Sequence, residues 1–95
     1  MTEARSAETA FAVERAWRLN PQVALRDESF GALAYHYGNR RLVFLKSRTL
    51  VTLVSSLAEY PSATAALAAC VPEGSRAAYA RALARLAASE VIDAR

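Results

Sequence analysis

The side chains able to do chemistry in this chain are few, and they stand apart. There is one His (His36) and one Cys (Cys70). Together they fall short of the usual tetrahedral zinc sets, and a lone Cys excludes an internal disulfide framework. His36 sits inside an apolar run without a second His, so a divalent metal or a general base there would need partners the sequence does not bring near. Cys70 lies at a helix end among apolar neighbours and reads as an inert thiol rather than a nucleophile. Asp27 and Glu28 form a charged turn, not an acid–base couple. Gly31, Gly38 and Gly74 are isolated, so no phosphate-cradling loop exists. Trp17, the one Trp, reads as a core anchor. Arg81 and Arg85 share a helical face at i, i+4 without a carboxylate at i±4, which is a solvated stripe or an anion contact. These residues argue against an enzyme and for a chain that binds.

What positions them is a single small domain. The chain has 95 residues, 54% of them hydrophobic and 22% charged, too apolar for a disordered polypeptide. The N-terminus lacks the apolar core of a signal peptide and no stretch approaches a membrane span, which implies a reduced, cytoplasmic setting. The net charge of +3 is unevenly spread: residues 15–48 hold seven basic residues against Asp27 and Glu28. Such a surface favours an acidic partner.

Residues 1–14 read as a flexible arm ahead of a domain over 15–95. Trp17 to Leu19 and Val23 to Arg26 have extended character around Pro21, and Asp27-Glu28-Ser29 is a turn. Phe30 to Tyr37 and Arg41 to Lys46 read as a hairpin closed by Gly38-Asn39 as a two-residue type II′ loop. That register sets Tyr35 opposite Leu42 and Leu33 opposite Phe44. One face then gathers Leu33, Tyr35, Tyr37, Leu42 and Phe44. The other gathers Ala32, Ala34, His36, Arg41, Val43 and Leu45, where small Ala side chains let a helix lie close. A sheet apolar on both sides hints at a binding surface.

After Lys46 the apolar period lengthens to that of a helix. Ser47 caps a first helix ending near Tyr60-Pro61, and Ser62 caps a short second one over Ala63 to Cys70. Glu73-Gly74-Ser75 leads into a third, with Tyr79, Leu83 and Leu86 on one stripe. Val91-Ile92 reads as its fraying last turn. The order is a three-stranded antiparallel sheet followed by three helices: an α+β, winged helix-turn-helix-like fold. A DNA reader is the alternative such a fold raises, but the third helix offers Arg76, Arg81 and Arg85 among Ala, without Asn or Gln to read adenine.

Residues 17–47 carry a more specific likeness. Trp17-x-Leu19-x-Pro21-x-Val23-x-x-Arg26, then Phe30-Gly31-Ala32-Leu33-x-Tyr35-x-Tyr37-Gly38 and Arg40-x-Leu42-x-Phe44-Leu45-Lys46-Ser47, resemble the peptide chaperones of mycofactocin biosynthesis. That family is related to the leader-binding protein of pyrroloquinoline quinone biosynthesis. The likeness implies a recognition element that holds the leader of a short ribosomally made precursor between the third strand and third helix. In this chain the edge would be Arg41, Leu42, Val43, Phe44, Leu45 and Lys46, and the helix wall Arg76, Tyr79, Ala80 and Leu83. The leader would add as an antiparallel strand, and the flanking Arg41 and Lys46 would favour an acidic peptide. The partner it implies is a radical S-adenosylmethionine maturase acting on the precursor's C-terminal Val-Tyr, with no cofactor, nucleic acid or membrane for this chain. An exposed edge strand leaves a strand-mediated homodimer open.

Overall fold

The computed structural model of the chain describes residues 11–95. Among these residues five strands and three α-helices run in the order β1 (Trp17–Leu19), β2 (Val23–Glu28), β3 (Gly31–His36), β4 (Leu42–Leu45), α1 (Arg48–Ser56), α2 (Ala63–Cys70), α3 (Arg76–Ala88) and β5 (Ile92–Ala94). Short 3₁₀ turns, Leu57–Glu59 and Glu73–Ser75, follow α1 and precede α3. Strands β2, β3 and β4 form an antiparallel sheet in that order, and β1 pairs separately with β5. The fold is α+β, a three-stranded sheet followed by three helices, compatible with a winged helix-turn-helix-like description.

The expected register holds, with Tyr35 opposite Leu42 and Leu33 opposite Phe44. The loop that sets it differs. Arg40 N–H donates to the His36 carbonyl (2.7 Å) and His36 N–H to the Arg41 carbonyl (3.0 Å), so the loop is four residues, Tyr37 to Arg40. Arg40, not Gly38, takes the left-handed conformation, at φ 67°. A four-residue loop and a two-residue loop centred on the same bond give the same pairing, which is why the register survives the change of turn. Gly38 is needed for space instead: a Cβ there would stand 2.8 Å from the His36 ring.

The turn before β3 also shifts. β2 continues through Asp27 and Glu28, leaving Ser29 and Phe30 as the link. Gly31 follows at φ 149°, with the Leu45 carbonyl where its Cβ would be, so only glycine lets β4 cross so closely. Ser47 and Ser62 cap α1 and α2 as expected, their hydroxyls accepting from Leu50 N–H (2.9 Å) and Ala65 N–H (3.1 Å).

Val91 and Ile92 are not a fraying turn. Val91 N–H bonds the Leu86 carbonyl (2.9 Å) and Glu90 N–H the Ala87 carbonyl (3.1 Å), with Glu90 left-handed at φ 66°. This is a Schellman stop, and it throws the chain out of α3 into β5. Val91 and Ile92 are both 1% exposed in the core beside Trp17. Of the segment expected as an arm, residues 1–10 lie outside the described residues. Residues 11–14 are seated: Phe11 packs 4.9 Å from the Trp17 ring, and the Val13 carbonyl accepts from Thr64 N–H (2.9 Å).

The core fills the space between the sheet and the helices. Ala32, Ala34 and Leu45 face it from the sheet, against Leu53 and Val54 of α1 and Leu83 and Leu86 of α3.

Candidate functional site: the cleft between β4 and α3

β4 is an edge strand; one side pairs with β3, and among the described residues no strand pairs with the other. His36 N–H bonds the Arg41 carbonyl, and bonded and non-bonded pairs alternate along an antiparallel ladder. Val43 and Leu45 therefore spend their backbone groups on β3, as Arg41 does its carbonyl, while Arg41 N–H donates to Asn39 Oδ1 (2.9 Å). Leu42 and Phe44 turn theirs to the open edge.

Beside that edge, α3 forms the opposite wall of a groove made of two joined clefts. One, about 200 Å³, lies between Lys46, Ser47 and Leu50 on one side and Ala78, Tyr79 and Ala82 on the other. The next, about 260 Å³, continues past Val43 and Phe44 toward Arg85, Leu86 and Ser89. Leu50 and Ala82 belong to both and form the shared floor. The centre is apolar, with Lys46 at one end and Arg85 at the other. The Tyr79 hydroxyl lies 3.0 Å from Ser47 Oγ, tying α3 to the cap of α1 and fixing the groove's width there.

The residues expected at the site separate into three groups. Val43, Phe44, Lys46 and Tyr79 line the groove. Leu45 and Leu83 are fully buried and support it from behind, with Ala80 packed at the margin of the core. Arg41, Leu42 and Arg76 lie off it. Arg41 is exposed at the loop end of β4, and the Leu42 side chain lies on the outer face of the sheet. The Arg76 guanidinium bonds the Val71 (2.8 Å) and Ala68 (3.1 Å) carbonyls, closing the C-terminal end of α2.

Of the stripe read from the sequence, Tyr79 and Leu86 line the clefts and Leu83 is buried behind them. Arg76, Ala80, Leu83 and Ala87 recur at i, i+4, i+7 and i+11 and turn inward. The neighbouring stripe, Ala78, Ala82, Arg85 and Ser89, has the same spacing and faces β4. Its signal was the pair of small residues at 78 and 82, which lets another backbone come close. Leu50, one turn into α1, could be found only from the packing of that helix across the sheet.

The isolated chemical residues have structural employment. His36 is 3% exposed, and its Nδ1 accepts from Gly38 N–H (3.0 Å) and Asn39 N–H (3.2 Å), capping the hairpin loop. Its Nε2 lies 3.3 Å from Asn20 Nδ2 and 3.9 Å from Glu90 Oε1. Cys70 is half-buried, its Sγ 3.7 Å from Ser56 Oγ and 3.9 Å from the Tyr60 hydroxyl, and this hydrogen bond pushes the tyrosine's pKa up. Glu28 bonds Arg26 at 2.8 Å on the surface. Among the described residues, no three His, Cys, Asp or Glu side chains gather where they could hold a metal ion. No helix there is long and apolar enough to cross a membrane.

Comparison with known proteins points one way. The family model described as the Peptide chaperone MftB family matches residues 16–93. A protein of Mycobacterium tuberculosis named Peptide chaperone MftB is 46% identical over 92 residues, covering 95% of this chain and 84% of that protein. Its namesake in Mycobacterium ulcerans is 49% identical over 84 residues, 87% of this chain and 77% of that one. The one in Mycolicibacterium smegmatis is 52% identical over 77 residues, 80% and 76%. No solved structure matches the chain.

Proposed function

The chain belongs to the MftB peptide chaperone family, and from that premise we propose that it captures the leader of a short precursor peptide in mycofactocin biosynthesis and presents it to a radical S-adenosylmethionine maturase. The observation that carries this reading is the open edge of β4 facing a groove walled by α3. An extended peptide laid antiparallel along β4 satisfies the outward N–H and C=O groups of Leu42 and Phe44. It sends alternate side chains down toward Leu50 and Ala82. Main-chain bonds supply affinity without demanding a sequence, and the apolar floor selects one bulky side chain. Lys46 and Arg85 at the groove's ends favour carboxylates on the peptide.

On this reading the chain contributes affinity and positioning, and the maturase does the chemistry. Leu45 and Leu83 act only through the core, holding the two walls at their separation. Arg76 acts likewise, by locking α2 to α3.

Two proline substitutions one residue apart test the edge. Leu42 N–H points outward at the first residue of the strand, so Leu42→Pro removes a donor the peptide uses and leaves the ladder intact. Calorimetric titration with the precursor peptide should show affinity reduced about tenfold or more, with little loss of thermal stability. Val43→Pro removes a bond to β3 and should instead unfold the hairpin. A folded Leu42→Pro chain that binds the peptide like wild type would overturn strand addition.

A further inference from the structure

The large apolar side chains left exposed among the described residues gather on one surface, of which only Phe44 also borders the groove. Phe30 (40% exposed), Tyr37 (62%), Leu42 (59%) and Phe44 (56%) all stand on the outer face of β2–β3–β4, with half-buried Leu33 and Tyr35 between them. The rings are packed against one another. Phe30 stacks on Phe44 with centroids 5.6 Å apart, and Tyr35 meets Tyr37 edge-on at 5.0 Å. A shallow cleft of about 360 Å³ lies along Leu33, Tyr35, Tyr37 and Leu42, bounded by Arg26. A solvent-washed sheet face is ordinarily polar, and a contiguous apolar face marks an interaction surface.

The rim decides the occupant. Arg26 and Arg48 border this face at one end, Arg26 Nε donating to Glu28 (2.8 Å) and the Arg48 guanidinium lying 3.5 Å from the Glu28 carbonyl, and exposed Arg40 stands in the loop at the other. A second copy docked face to face would set the basic rim against itself. An anionic membrane would meet the Glu28 carboxylate at the rim. A protein surface that is apolar at its centre and acidic at its margin suits both features. β4 is also shared: Leu42 and Phe44 give their side chains to this face and their backbone groups to the groove edge. A protein on the outer face would therefore lie directly beside a peptide bound along β4.

We propose that the outer face of the sheet is the docking surface for the enzyme that modifies the captured peptide. This rests on the presentation reading above and adds the surface through which presentation occurs. Two sites built on opposite aspects of one strand let the chain hold both partners at once, the peptide by backbone and the enzyme by aromatic side chains.

The test uses the triple variant Phe30→Ser/Tyr35→Thr/Tyr37→Ser, none of which touches the groove. Titration with the radical S-adenosylmethionine maturase should show binding weakened at least roughly tenfold, and with the precursor peptide a change within about twofold. Should the triple variant melt early, Arg26→Glu on the exposed rim should still weaken the enzyme complex several-fold and flatten its salt dependence. Enzyme binding that survives both substitutions overturns this proposal and leaves the peptide reading standing. A wild-type chain that takes the peptide but no maturase sinks presentation and this surface together. Conversion of a wild-type dimer to a monomer by the triple variant, or ring-dependent binding to phosphatidylserine vesicles, would assign the face to those occupants instead.

Discussion

The two faces of the β2–β3–β4 sheet are alternate residues of the same strands, and both are apolar, yet they meet opposite fates. On the inner face Ala32, Ala34 and Leu45 are 1% exposed or less. On the outer face Leu42 and Phe44, on the same strand as Leu45, are more than half exposed. Hydrophobicity does not separate the faces; along the apolar positions of β3, side-chain size does. Two alanines on β3 let α1 approach closely and close the core, whereas Leu33, Tyr35 and Phe44 build a layer that no element among the described residues covers. On β3 the small residues mark where the sheet packs on α1, and the large ones where it offers a surface.

The widest gap between the faces should appear in stability. Leu45→Ala empties a fully buried site and should cost about 3 kcal/mol in urea denaturation. Leu42→Ala, three residues away on the outer face, should cost no more than about 0.5 kcal/mol. Equal costs would mean that the outer face is covered in the isolated protein. A Leu42→Ala cost that grows with protein concentration would trace that cover to a second copy.

A smaller loss should follow from the one polar side chain buried on the inner face. His36→Leu keeps the bulk but leaves the Gly38 and Asn39 N–H groups without their acceptor, at about 2 kcal/mol. Amide exchange at Gly38 and Asn39 should quicken before that of the rest of β3. If exchange rises uniformly instead, the ring is packing material rather than a loop cap.

The contrast between faces was legible in the sequence because alternation and register need only local information. The Tyr35–Leu42 pairing fixed which residues share a side even though the loop was of another type. Both serine caps were legible for the same reason, a hydroxyl three residues ahead of the N–H it receives. The end of α3 was not. Its left-handed residue is Glu90 where such a stop usually carries Gly, so nothing announced that Val91 and Ile92 would leave the helix and pair with β1. The groove was half legible. Its strand follows from edge topology, but its helix wall depends on which of two equally spaced stripes, 76–80–83–87 or 78–82–85–89, turns inward. Leu83 favours the first as core, and that same choice hands the groove to the second.

The smallest effect concerns the seam where groove and core meet. Ser47 Oγ both caps α1 and reaches the Tyr79 hydroxyl, so its loss combines a helix term with a tether term. Ser47→Ala should cost about 1 kcal/mol, chiefly for the cap. Tyr79→Phe removes only the tether and should cost about 0.5 kcal/mol or less, because the freed hydroxyl partner can turn to water. If the tether sets the groove's width, Tyr79→Phe should nonetheless weaken peptide binding by about threefold, a change out of proportion to its stability cost. Adding Ser47→Ala to Tyr79→Phe should then take away the cap but no further affinity, since the two hydroxyls act on the groove as one bond. Additive losses of affinity in the double variant would mean that each side chain meets the peptide on its own account, and the groove would be shaped by direct contacts rather than by the spacing of its walls.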